Sequence, residues 1–332
     1  MKSLKSFAMG GCALAMGLLS LTPEAQAREV NLPPSVPPGH SLGFPVGAQI
    51  PPGVYATLGI DYITGDAVDD DGDEVDQEVS DLVFVASVGW VPGFEILGAQ
   101  YSAGVTAAYI LNREADRGDD FIVPPLAGTS SRREGLTRFT IQPIRLAWNL
   151  GEGRFASAGL AIQTPINDFD PAETPQLGGD FWTIIPDVAF TWITPDWETT
   201  LHASYFISTE NATSDYQSGD EFSVNFTALR NVGNGWAVGP LAYYAVQVTD
   251  DENNGTSYPD PATGFTTQLE FDNYSNFGVG IGVRKRMGPL LLNANLTTAV
   301  EVENEVEATV LQLRATLPLG PPPPPPPGVA LP

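Results

Sequence analysis

The sequence predicts an all-β protein, a transmembrane antiparallel up-and-down β-barrel of about 12 strands with short periplasmic turns and long extracellular loops. Three observations predict it. From Gly53 onward, apolar and polar or small residues alternate with a period of two rather than 3.6. Past the N-terminal leader no run of about 18 apolar residues exists, so a closed barrel is the one spanning structure left. The connections between alternating segments are short and long by parity, as in outer-membrane barrels, whereas a soluble β-sandwich has no reason to sort its loops that way.

Taken in order, Lys2 and Lys5 form a basic start, Phe7 to Leu21 an apolar stretch and Ala25-Gln26-Ala27 a small-residue cleavage site. Residues 1–27 therefore read as a secretory signal peptide. Cys12 follows Met9-Gly10-Gly11, but it lies inside the apolar stretch, and a lipid-bearing cysteine would follow it. Without the signal the chain has no thiol. Residues 28–52 are Pro-rich and aperiodic, a periplasmic leader. Proline lacks a backbone donor, and Leu42-Gly43-Phe44-Pro45-Val46 forms an apolar foot. The leader is expected to fold into or across the periplasmic mouth and plug the pore.

Residues 53–318 form the barrel, with strands expected at 53–64, 79–90, 94–111, 136–149, 153–163, 181–194, 196–208, 222–230, 236–248, 274–286, 288–300 and 308–318. In the tenth, Phe277, Val279, Ile281 and Val283 oppose Asn276, Gly278, Gly280, Gly282 and Arg284, the apolar-out and polar-in pattern of a wet barrel in lipid. The fourth alternates poorly around Pro143, which predicts a bulge or edge-like defect. Connections after even strands are tight, for example Val91-Pro92-Gly93. Those after the first, third, fifth, seventh and ninth run from about a dozen to two dozen residues by the period-two count. Trp90, Trp148, Trp192, Trp197 and Trp236 fall beside short turns and Trp182 beside a long loop, an aromatic girdle at the periplasmic boundary. Residues 319–332 form a Pro-rich tail with seven consecutive prolines, expected to be a stiff solvated spacer.

The whole chain carries 15 basic and 40 acidic residues, a net charge of −25. This excludes nucleic acid as a partner, because phosphate binding requires Lys and Arg. The long connections and the acidic junction 301–307 hold 31 acidic residues against four arginines, so one rim of the barrel is anionic.

Certain stretches resemble a known family: Ile141-Gln142-Pro143-Ile144-Arg145-Leu146-Ala147-Trp148, Phe181-Trp182-Thr183 with Pro186, the run from Asn211-Ala212-Thr213-Ser214-Asp215-Tyr216 to Phe222, and Tyr243-Tyr244-Ala245-Val246-Gln247-Val248-Thr249-Asp250-Asp251. Together, over roughly residues 50 to 318, they resemble the outer-membrane transporter-like family named for the meta-cleavage (MetA) pathway of phenol degradation. The resemblance implies an outer-membrane barrel that passes small, often aromatic or hydrophobic, compounds. The last strand departs from the usual pattern, ending at Leu317-Pro318 without a terminal aromatic.

Parity within the strands points Asp61, Asp81, Gln100, Arg145, Asp187, Glu198, His202, Asn225, Gln247, Arg284, Asn293, Asn295 and Arg314 into the lumen, where carboxylates and arginines would pair and set a transverse field. Asp69, Asp71 and Glu78 fit three positions of a calcium loop with Gly72 at its turn, but Ala67 occupies the first ligand position and no helices flank it. His202, Ser204 and Asn211 match the residue types of an outer-membrane phospholipase. His202 and Ser204 point into the lumen, however, and lipid chemistry needs them outside. The sequence thus implies a passive channel in the outer membrane of a Gram-negative bacterium, without catalysis or cofactor. Its expected partners are the bilayer, lipopolysaccharide, a small organic solute and the outer-membrane assembly machinery. A structural or surface-interaction barrel with cation- or lipopolysaccharide-binding loops is the alternative; a phospholipase is a remote one.

Overall fold

The computed structural model describes residue 29 and residues 32–34, 36–119, 128–166, 169–170, 175–253, 258–259, 266–267 and 273–320. The predicted signal peptide and the proline run of the tail lie outside the described residues. No helix among the described residues is long and apolar enough to cross a membrane.

Twelve strands form the ring: β1 Gly53–Val68, β2 Glu74–Val91, β3 Ala99–Arg117, β4 Thr140–Gly151, β5 Arg154–Gln163, β6 Thr183–Ile193, β7 Trp197–Ser208, β8 Glu221–Gly233, β9 Trp236–Gln247, β10 Ser275–Met287, β11 Leu290–Glu303 and β12 Val306–Pro318. Each pairs antiparallel with its neighbours in sequence, and β12 closes on β1 from Tyr55↔Pro318 to Ala67↔Val306. Closure of β12 on β1 leaves the ring without two end edges, as lipid demands. Leu58, Ile60 and Tyr62 are exposed on the outer face of β1, while Asp61 is 4% exposed on the inner face. The same alternation runs around the ring, and the Trp side chains at 90, 192, 197 and 236 are between 41% and 48% exposed in an outer belt beside the tight turns. Lys285 lies 4.8 Å over the Trp236 ring and donates to the Asn234 carbonyl, so its charge reaches the boundary water.

Two expectations about connections are corrected. The first long loop shrinks to residues 69–73, because β1 and β2 continue their ladder through acidic residues such as Asp66↔Glu78. The junction expected at 301–307 is a two-residue turn at Asn304–Glu305, with Asn304 at φ 51°. In both places the apolar alternation stops where the lipid ends, yet backbone pairing carries on beyond it. The defect near Pro143 is present: registers shift between Ser102/Gly104 and between Ile141/Ile144. The Tyr101 hydroxyl donates to the Pro143 carbonyl at 2.7 Å.

A second irregularity lies just above. The segment Ser130–Leu136 pairs with the upper half of β3, and residues 137–139 then break the strand before β4 begins. On the other side β5 reaches only Gln163 opposite Thr140, so the sheet pairing does not extend to Ser130–Leu136 from that side. Thr164, Pro165, Ile166, Leu177 and Trp182 gather beside Glu134–Thr137 there.

Candidate functional site

The leader climbs the inside of the barrel. At the end with the tight turns, the Ile50 amide donates to Gln100 Oε1 (3.0 Å) and Gln49 Nε2 to the Ala147 carbonyl (2.9 Å). Higher up, the Gly47 amide donates to Thr191 Oγ1, Ser157 Oγ to the Val46 carbonyl, the Gly43 amide to Thr227 Oγ1 and Asn295 Nδ2 to the Leu42 carbonyl. At the far end Asn211 Nδ2, in the loop after β7, donates to Glu29 Oε2 at 2.5 Å. Backbone groups that a coil leaves unpaired thus find partners in lumen side chains. The leader was expected at the periplasmic mouth; its contacts run the full height.

At mid-height the leader meets a charged cluster. Arg145 Nη2 lies 2.5 Å from Asp187 Oδ1, reaching across β5 over Gly159, and His202 Nε2 donates to the same oxygen at 3.1 Å. His202 Nδ1 shares a 2.8 Å hydrogen bond with Ser41 Oγ of the leader. His40 stands edge-on to His202 at 5.6 Å and to Phe206 at 6.5 Å. Burial, with His202 beside it, pushes the His40 imidazole down to about 3.

The other predicted lumen residues sort into pairs and singles. Asp61 takes a bidentate Arg314, Asp81 takes Arg113, and Glu198 reaches Arg284. Gln247 Nε2 donates to Asp251, Asn273 and the Thr249 carbonyl. Asn225 and Asn293 are 2% and 4% exposed, and both amide atoms of each lack a protein partner. Ordered water in a wet lumen is the ordinary remedy. Arg113 escaped the sequence reading because strand three was ended at residue 111 and because the register shift at Leu82/Val83 reverses its parity, so that a plain extension of the alternation would have turned Arg113 outward.

Two chemical readings of the sequence are not assembled. Ser204 Oγ lies 3.5 Å from His202, but Asn211 is engaged with Glu29. Asp69 Oδ1 accepts from the Asp71 and Asp73 amides, and Glu78 sits in the β2 ladder opposite Asp66 and Asp116. No group of three or more metal-ligating side chains converges among the described residues.

The broken wall holds a cavity of about 690 Å³, lined by Leu136, Phe139, Ile166, Leu177 and Trp182 among others. Leu136, Phe139 and Trp182 are exposed, whereas Leu177 is 4% exposed. Between cavity and lumen, Arg138 ties the edges together. It donates to the Thr164 and Phe181 carbonyls and to Thr183 Oγ1, with its guanidinium 4.2 Å over the Phe181 ring. Arg113 and Arg133 hold Gln176 from the β3 side. No sequence periodicity marks this site, because it arises where periodicity fails.

Comparison with known proteins matches residues 60–315 to the family model described as "Putative MetA-pathway of phenol degradation". Among solved structures, the chain is similar to an outer-membrane channel from Pseudomonas putida F1, at TM-score 0.66 and 13% identity, covering 82% of this chain and 97% of that one. It is also similar, at TM-score 0.43 and 9% identity, to the translocator domain of the autotransporter NalP from Neisseria meningitidis, covering 82% and 90%. A further likeness, at TM-score 0.38 and 13% identity, is to the CymD monoaromatic hydrocarbon channel, again covering 82% and 90%. No curated protein matches the chain.

Proposed function

The chain belongs to the family of the MetA pathway of phenol degradation, and from that premise we propose that it is a passive outer-membrane channel for small apolar, aromatic solutes. The observation that carries the reading is the apolar cavity in the interrupted wall, open beside the exposed Leu136, Phe139 and Trp182, taken as its lipid face. Aromatic solutes partition into the outer leaflet, and a cavity at that depth receives them without a journey through water. The leader is hydrogen-bonded along the lumen from Gln100 to Asn211, and in this reading it narrows the straight route so that the wall offers the shorter path inward. In this reading the lumen-lining polar residues hold the leader and keep the interior wet. The function so read requires no catalytic group. The acidic loops meet cation-bridged lipopolysaccharide, and the assembly machinery inserts the barrel.

The test is uptake of radiolabelled phenol and toluene at low concentration by cells lacking the gene. Restoration by the intact chain and not by Ile166→Trp, which narrows the cavity, is expected. Equal uptake by both would remove the wall from the pathway, and no uptake by either would remove the channel.

A further inference from the structure

The lumen is lined mostly by polar side chains, yet the leader inserts an apolar one at two heights. Leu42, 1% exposed, packs with Leu229, Ala237, Leu241 and Tyr243 on the inner face of β8 and β9. Val36 packs against Ala161, Ile185 and Phe206 on the inner face of β5, β6 and β7. An inward-facing apolar socket in a wet barrel is costly unless something apolar fills it, because its walls would otherwise face water. Docking of the leader around Leu42 is already provided for by hydrogen bonds on either side of it, at Ser41, the Leu42 carbonyl, Gly43, Val46 and Gly47. A polar wall at these positions would serve docking equally well.

We propose that the Leu229–Ala237–Leu241–Tyr243 socket is a binding site for a small aromatic solute inside the barrel, and that Leu42 of the leader is its resident competitor. The inference rests on the channel reading and names the site within it. The chemistry fits one ring: two leucine side chains and a tyrosine form a mostly apolar wall, and the polar atoms beside it are the Tyr243 hydroxyl and, over Gly282, Asn295 Oδ1. With Leu42 in place, the apparent affinity is the intrinsic affinity scaled by the fraction of time the socket stands empty. A solute that wins the socket displaces Leu42, and the Val36 socket on the adjoining strands β5 to β7 offers a second apolar station nearer the external loops. Passage and leader movement become one event.

The experiment measures 4-fluorophenol binding by 19F NMR, using the full-length protein in lipid nanodiscs, with flux of the same compound into proteoliposomes measured alongside. Leu42→Ala is expected to bind at least about tenfold more tightly than the unsubstituted protein, because the vacated apolar cavity is no longer filled from within. Adding Leu241→Asn to Leu42→Ala is expected to abolish the gain, which shows that the ring sits in this socket and not in the Val36 one. Binding by Leu42→Ala equal to that of the unsubstituted protein overturns the proposal, and so does a gain that survives Leu241→Asn. Flux without a socket gain overturns the socket alone and leaves the channel standing. A socket gain without flux supports the site and overturns the channel reading.

Discussion

A Cβ on Gly278 would fall inside the Tyr243 ring, one on Gly59 would meet the Arg314 side chain, and one on Gly159 would meet Asp187 and Arg145. These inward glycines are the floor over which long side chains cross from strand to strand. Asp187 shows what such a crossing holds together, since it accepts from Arg145 and His202 at once. Asp187→Asn leaves a buried guanidinium without its counter-charge and is expected to cost about 3–5 kcal/mol. Urea unfolding of the barrel in lipid vesicles would check it, and a loss within error of zero would show the pair to be solvated. His40 adds a pH dependence with a defined sign. A free imidazole titrates near 6.5, and the docked one is held at about 3. Between those values the released leader binds a proton that the docked leader does not. Docking is therefore at full strength above about pH 6.5 and weakens as pH falls, by at most about tenfold per unit. Single-channel conductance is expected to rise between pH 7.5 and 5, and His40→Gln to flatten the rise.

The element scale separates what was legible in the residues from what was not. Lipid on one side and a wet lumen on the other impose the period of two, so all twelve strands could be read from alternation. Their ends could not. β1 and β2 run 16 and 18 residues, beyond the 9–11 or so that a bilayer needs, and past the lipid nothing enforces apolar spacing. Parity likewise pointed to Asp61, Asp81, Arg284 and Arg314, but their partners depend on the stagger between strands, which a single chain does not display. The wall cavity was illegible for the same reason. Pro143 announced a defect, yet nothing in Ser130–Leu136 announces that its strand partner lies on one side only. Arg138 is the element-level control of that defect. Arg138→Ala is expected to speed hydrogen exchange at Ile166, whose amide bonds to the Gly179 carbonyl, and to leave the β10–β12 amides unchanged. Unchanged exchange at Ile166 would assign the closure to Arg113 and Arg133 instead.

For the whole molecule, orientation and leader together set what passes. With the long loops outside, protease sites placed near Asp70 or Ser130 are expected to be cut on intact cells. Sites at Gly93, Pro195 or Gly288 are expected to be cut only after the outer membrane is permeabilised, and the reverse result would invert the barrel. Deleting residues 30–48 while keeping the signal and its cleavage site is expected to raise single-channel conductance several-fold. An inserted barrel with unchanged conductance would show that the leader does not restrict ions. The ladder between β1 and β12 carries one more consequence, and it concerns the order of events during assembly. Tyr55 and Pro318 pair across nearly the whole chain, so the ring cannot shut until the final strand has been delivered. Contacts of such separation form slowly. The leader precedes β1, yet Glu29 is seated on the loop after β7 at the opposite end of the bore. If the ring shut first, residues 29–50 would have to thread it end-on past every narrowing. A leader laid into the half-built trough of β3 to β11 meets an open side instead. The closing ladder then acts as a clock, and the time before it zips is the interval in which the interior is furnished.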